Sequence, residues 1–120
     1  MLVTYYGTGF DIPFLVTRAL AHGIDLPRLT ELPMLDLYEW CHANLLLSAY
    51  SLESVARFLG VGKAKEFYGG DMPTLFRLVE RGDLEARRLI VDHCRDDLIL
   101  LRQVHERLRA QVEQSRWGLP

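Results

Sequence analysis

Apolar and polar positions along the chain predict two short strands and five helices. The β-branched and aromatic run from Leu2 to Tyr6 predicts the first strand, and the run from Met34 to Tyr38 predicts the second. A helix that begins at Asp11 and stops at Gly23 separates them. Because a crossover helix joins the two strands, we expect them to be parallel.

The rest of the chain is predicted to be helical. Ser51 is a good N-cap residue and Gly60 a good helix end. The predicted helices cover Glu39 to Leu46, Ser51 to Gly60, Asp71 to Arg81, and Asp83 to about Gln114. We therefore expect a mostly helical α/β domain over residues 1–114, followed by a disordered tail over residues 115–120.

An acid lies within the apolar stripe of the last helix. The stripe has helical spacing and consists of Ile90, Cys94, Leu98, Leu101, Val104, Leu108 and Val112. Asp97 shares this face with His93, four residues earlier. A carboxylate facing apolar packing is costly unless it is paired, hydrogen-bonded or bound to a cation. This makes His93 and Asp97 a candidate site; the alternative is an acid at the core rim, bonded to an arginine or an amide. Cys94 is predicted to pack in the core.

Two parallel strands form an incomplete sheet. Parallel strands are normally buried within a wider sheet, and a two-stranded sheet is marginal alone. We expect either further strands upstream of Met1 or a second chain, such as a homodimer partner, at the open edge.

Composition excludes some classes of protein. The chain has 120 residues, of which 49% are hydrophobic and 25% charged, as in soluble globular domains. No apolar run is long enough to span a bilayer. Cys41 and Cys94 are isolated, which favours reduced thiols in a cytoplasmic protein. The net charge of −2 indicates no general basic surface, although a local nucleic-acid groove is compatible with it.

Three further positions are candidates for chemistry. Asp11 follows the first strand at its carboxyl end, where α/β folds place ligands, although an acid there can simply cap the helix. Asp36 ends the second strand and is either a supporting residue of the site or bonded to a nearby amide. Lys63 and Lys65 could contact phosphates, or lie in a solvated loop.

Four motifs in order resemble the DnaQ-like, or DEDD, 3′–5′ exonucleases of the ribonuclease H-like superfamily. The likeness is strongest to YprB-type domains and to the predicted exonucleases related to family B polymerases. The motifs are Phe10-Asp11-Ile12-Pro13-Phe14-Leu15, Asp36-Leu37-Tyr38, the segment from Ser51 to Gly60, and His93-Cys94-Arg95-Asp96-Asp97-Leu98.

The resemblance implies a nuclease with two Mg²⁺ or Mn²⁺ ions, acting on single-stranded DNA or RNA ends. Asp11 matches the acid of the family's second motif and Asp97 that of the third, so both would be metal ligands. His93 stands where relatives usually have a tyrosine, and would orient water or accept its proton.

Two positions depart from the family pattern. The first motif, Asp-x-Glu, has no counterpart before Asp11, so we expect a ribonuclease H-like domain truncated at its N-terminus. Tyr6 stands where relatives carry an asparagine, and it could stack on a base or simply pack. The alternative to an exonuclease is an inactive nucleic-acid-binding or dimerisation module of the same fold.

Overall fold

Along the part of the chain that the structure describes, two strands and five α-helices follow one another in the predicted order. The computed structural model describes residues 1–26, 29–62 and 72–116. The elements are β1 (Leu2–Thr4), α1 (Asp11–Ala21), a short 3₁₀ turn (Leu29–Glu31), β2 (Met34–Asp36), α2 (Leu37–Asn44), α3 (Leu52–Leu59), α4 (Met72–Glu80) and α5 (Leu84–Arg116).

The two strands pair in parallel, as predicted. Leu2 lies opposite Met34 and Thr4 opposite Asp36. The Leu2 N–H donates to the carbonyl oxygen of Pro33 at 2.8 Å. Because alternate residues of a strand bond to opposite sides, the N–H and C=O of Val3 point away from β2. Within the described residues the sheet has only these two strands, so this edge of β1 is open.

Some strand and helix ends differ from the predicted ones. β1 stops at Thr4, two residues early, because the chain turns at Tyr5 and Tyr6. Asp36 caps the following helix by accepting the Tyr38 N–H, so α2 begins at Leu37 and not at Glu39. Helix α5 continues to Arg116, two residues past its predicted end. The remainder of the predicted tail, residues 117–120, lies outside the described residues.

The hydrophobic core lies between α2, α3 and α5. Its buried members are Leu37, Cys41, Val55, Ala56, Leu100, Val104, Leu108 and Val112. Val3 and Leu35 pack against this cluster from the sheet, and Tyr5 packs against it from the turn after β1. Helix α1, by contrast, buries only Ile12 and Ala19. Nowhere in the described residues is a helix both long and apolar enough to cross a membrane.

The covered face of α5 differs in part from the predicted stripe. Val104, Leu108 and Val112 are buried and Asp97 is half-buried, which agrees with a stripe that includes the acid. Leu100, which the predicted stripe did not contain, is buried as well. Two predicted stripe residues are exposed: Leu98 at 62%, and Cys94. The prediction that Cys94 packs in the core is wrong. The covered face passes through His93 and Asp97, and a step of one residue turns a side chain by about 100°.

Two leucines on α5 test this assignment of faces. Leu108→Ala removes a 4%-exposed side chain from the core, and we expect it to lower the free energy of unfolding by about 2–5 kcal/mol. Leu98→Ala changes helix propensity by the same amount as Leu108→Ala, but on the exposed face. We therefore expect it to change the free energy of unfolding by no more than about 0.5 kcal/mol. Urea unfolding of both variants measures the difference. Equal effects would contradict the assignment.

The two cysteines differ in their surroundings. Cys41 is fully buried in α2, and burial raises the pKa of its thiol from 9.0 to about 11. The thiolate is the reactive form. Cys94 is exposed on α5.

We therefore expect one fast-reacting thiol in the folded protein. At pH 8 a disulfide reagent should modify Cys94 within the mixing phase and Cys41 only on unfolding. Between pH 9 and 11 the unfolded chain loses the Cys41 proton while the folded chain retains it, so stability should fall as the pH rises through that window. A Cys41→Ser protein provides the control, because the fall of its free energy of unfolding with pH should lack the contribution of Cys41. Rapid modification of Cys41 at pH 8 would show that the thiol is accessible.

Candidate active site

Asp36 is a buried carboxylate that joins the end of β2 to the turn after β1. It is 7% exposed. Its Oδ1 accepts the N–H of Tyr6 at 2.7 Å and that of Tyr38 at 3.0 Å. Its Oδ2 accepts the hydroxyl of Thr8 at 2.7 Å and the Thr8 N–H at 3.3 Å. Both oxygens are thus satisfied by donors, which compensates the cost of burying the charge.

The turn held by Asp36 has an unusual backbone. Tyr6 has φ = 61°, the left-handed region that a bulky residue rarely adopts. Two glycines make room within the turn. A Cβ on Gly9 would lie 2.4 Å from Cζ of Tyr6, and one on Gly7 would lie 2.5 Å from Cβ of Thr4. Neither glycine can be replaced without moving its neighbour, and the Tyr6 ring lies directly over Gly9.

This turn delivers Asp11 to the start of α1. Phe10 is the N-cap residue and makes no side-chain capping bond; the Gly7 carbonyl accepts the Ile12 N–H at 2.8 Å. Asp11 is exposed in the first helical turn, where the helix dipole favours a negative charge. A side-chain cap by Asp11, the alternative considered from the sequence, does not occur at this helix start.

His93 and Asp97 face each other one turn apart on α5. Nε2 of His93 lies 3.5 Å from Oδ2 of Asp97, and their side chains are 13% and 38% exposed. The pair lies on the covered side of the helix, next to the buried Leu100. An imidazole in this position can orient the carboxylate or exchange a proton with it.

The structure therefore brings the predicted residues together in two groups. Tyr6 and Asp36 are hydrogen-bonded in the first group, and His93 and Asp97 are paired in the second. That Asp11 and Asp97 share a cation stays a prediction. Lys63 and Lys65, predicted to contact nucleic acid, lie outside the described residues.

The described residues do not form a complete metal site by themselves. Over residues 1–26, 29–62 and 72–116, no group of three or more histidine, cysteine, aspartate or glutamate side chains is placed to hold an ion. Two divalent ions prefer more carboxylate oxygens than Asp11 and Asp97 supply.

Sequence reasoning missed Thr8. Its hydroxyl donates to Asp36 and also lies 2.8 Å from Oε1 of Glu39 on α2. The available signal was a hydroxyl residue between two glycines directly after a strand, since such a residue often bonds locally. Its partner is 28 residues away, however, and nothing in the local pattern identifies it.

Comparison with known proteins identifies the family. The model of the RNase_H_2 family, described as RNase_H superfamily, matches residues 1–109. The chain belongs to the RNase_H superfamily. No match was found among curated proteins or among solved structures. The membership agrees with the mixed fold and its two parallel strands, and it indicates a nuclease-type function.

Replacement of Asp36 tests whether it holds the turn. Asp36→Asn keeps the shape but substitutes an NH₂ for one accepting oxygen, leaving buried donors such as the Tyr6 or Thr8 N–H unpaired. We expect a loss of about 1–3 kcal/mol in the free energy of unfolding. Glu39→Gln, an exposed carboxylate beside the same threonine, should change it by no more than about 0.5 kcal/mol. Thermal unfolding compares them, and an Asp36→Asn protein as stable as the parent would refute the role of Asp36.

Proposed function

We propose that the chain is a metal-dependent 3′–5′ exonuclease of this superfamily, or the C-terminal portion of one, and acts on single-stranded DNA or RNA ends. The half-buried His93–Asp97 pair carries the proposal. The pair places a carboxylate and an imidazole side by side on the covered face of α5, and in a superfamily of nuclease type such a carboxylate is suited to bind a divalent cation.

Asp11 and Asp97 are the proposed metal-binding residues. Asp11 is exposed at the carboxyl end of β1, and the turn before it is fixed by Asp36. Asp97 is reachable because its side chain is 38% exposed. His93 is the proposed proton acceptor: because its Nε2 faces the Asp97 carboxylate and would donate to it, Nδ1 would be the nitrogen that takes the proton. When bound, Mg²⁺ or Mn²⁺ would polarise the phosphodiester and activate water.

The remaining ligands would come from strands paired with the open edge of β1. The free backbone groups of Val3 point to that edge, which follows from the Leu2–Pro33 hydrogen bond. Strands placed there, from the same polypeptide or from a second copy, would lie beside β1 and so near Asp11. This part of the proposal supplies the carboxylates that residues 1–10 lack.

A non-catalytic nucleic-acid-binding module is the second candidate. It is favoured by the absence, within the described residues, of any group of three or more histidine, cysteine, aspartate or glutamate side chains placed to hold an ion. The two candidates differ in one observable property, which is whether a bound oligonucleotide is shortened when Mn²⁺ is added.

An oligonucleotide degradation assay tests the exonuclease proposal. We expect Mn²⁺ to cause stepwise shortening of a 5′-labelled single strand, and Asp97→Asn to slow it by about 100-fold or more, because even residues behind the ligands of metal sites typically contribute 10–100-fold. EDTA should stop the reaction in the parent protein.

Asp96→Asn is the matched control. Asp96 is exposed on the same helix one residue earlier, so the substitution makes the same change of charge on another face. It should retain the parental rate. Equal losses in the two variants would point to a general charge effect, and full activity of Asp97→Asn would place the site elsewhere.

A further inference from the structure

Four rings form a continuous chain on the surface, beginning at the turn that precedes Asp11. We refer to Tyr6, Tyr38, His42 and Tyr50 as the aromatic ridge. The ring centroids of Tyr6 and Tyr38 are 4.8 Å apart, and those of Tyr38 and His42 are 5.0 Å apart. His42 and Tyr50 are stacked at 4.0 Å with an interplanar angle of 23°.

Each end of the aromatic ridge is held by backbone contacts. Tyr38 and His42 are four residues apart, so they share a face of α2. The Tyr50 hydroxyl donates to the Leu45 carbonyl at 2.6 Å and accepts the Leu47 N–H at 3.0 Å. At the other end, the Tyr6 N–H is bonded to Asp36. The Tyr50 ring is therefore held at its hydroxyl, and the backbone that carries the Tyr6 ring is held at its N–H.

The position of Tyr6 has a conformational cost that packing alone does not explain. A bulky residue at φ = 61° is strained, yet its ring remains 47% exposed. His42 is exposed as well. Burial of apolar area thus offsets little of the strain, and the exposed part of the Tyr6 ring is accessible to a ligand that stacks on it.

We propose that the aromatic ridge is a base-stacking surface for single-stranded nucleic acid, which it guides toward Asp11. This inference deepens the proposed function and rests on it for the choice of ligand. Aromatic side chains bind single strands by stacking on bases, whatever the sequence. The acids nearest the ridge, Asp36 and Glu39, disfavour phosphates, so recognition here depends on the bases and not on the backbone.

Binding without cleavage tests this directly. Anisotropy of a labelled single strand of about 12 nucleotides is measured in EDTA, so that degradation does not interfere. We expect His42→Ala and Tyr6→Leu each to weaken binding by about 5- to 100-fold, the range typical of one lost base stack. His42→Phe, which keeps a ring in the stack, should bind within about threefold of the parent.

Two controls separate stacking from other causes. Phe76→Ala removes a 54%-exposed ring from α4, outside the aromatic ridge, and should leave the affinity unchanged. An oligonucleotide of abasic residues has phosphates but no bases, so the parent protein should bind it weakly. The His42→Ala substitution should not lower the affinity for this abasic strand any further.

The outcomes distinguish this inference from the exonuclease proposal. The stacking surface would be overturned if both His42→Ala and Tyr6→Leu bound the single strand with parental affinity. It would also be overturned if these variants lost as much affinity for the abasic strand as for the normal one. Either result would count even if Mn²⁺-dependent degradation occurs. Weakened binding in both variants, with parental affinity for His42→Phe, would support it even if no degradation is seen. Failure of the parent protein to bind any single strand would refute it.

Discussion

The buried carboxylate of Asp36 is the interaction on which the arrangement of this molecule depends. It caps α2, which belongs to the core, and at the same time holds the turn between β1 and α1 through Tyr6 and Thr8. A charge at 7% exposure is stable only because four donors surround it. Without it, the Tyr6 and Thr8 N–H groups would lose their acceptor, and the starting point of α1 would no longer be fixed.

The same turn is important because α1 has little other support. Only Ile12 and Ala19 are buried on that helix, while Leu15 and Leu20 are 48% and 67% exposed. An open strand edge next to a poorly covered helix is the arrangement that further strands would complete.

Local sequence patterns predicted the helices and strands well, but they predicted the contacts between these elements less well. Helix and strand order follows from periodicity and from Gly, Pro and Ser positions, and the parallel pairing follows from the crossover. The covered face of α5 was predicted only in part, because apolar residues occur on two sides of it: Cys94 and Leu98 are exposed, whereas His93 and Asp97 lie on the covered side. The core, and not the sequence of one helix, selects between those faces. Contacts between distant segments, such as Thr8 with Asp36, follow from tertiary packing and have no local signal.

The central claim is that the turn held by Asp36 and the covered face of α5 serve one cation, with Asp11 and Asp97 as its shared ligands. Paramagnetic broadening of backbone amide signals by substoichiometric Mn²⁺ measures this directly. The account predicts that signals of Asp11 and Asp97 broaden together at the lowest Mn²⁺ concentration, and that Asp97→Asn abolishes the broadening at both. Broadening at only one of them, or first at surface acids such as Glu85 and Asp92, would contradict it.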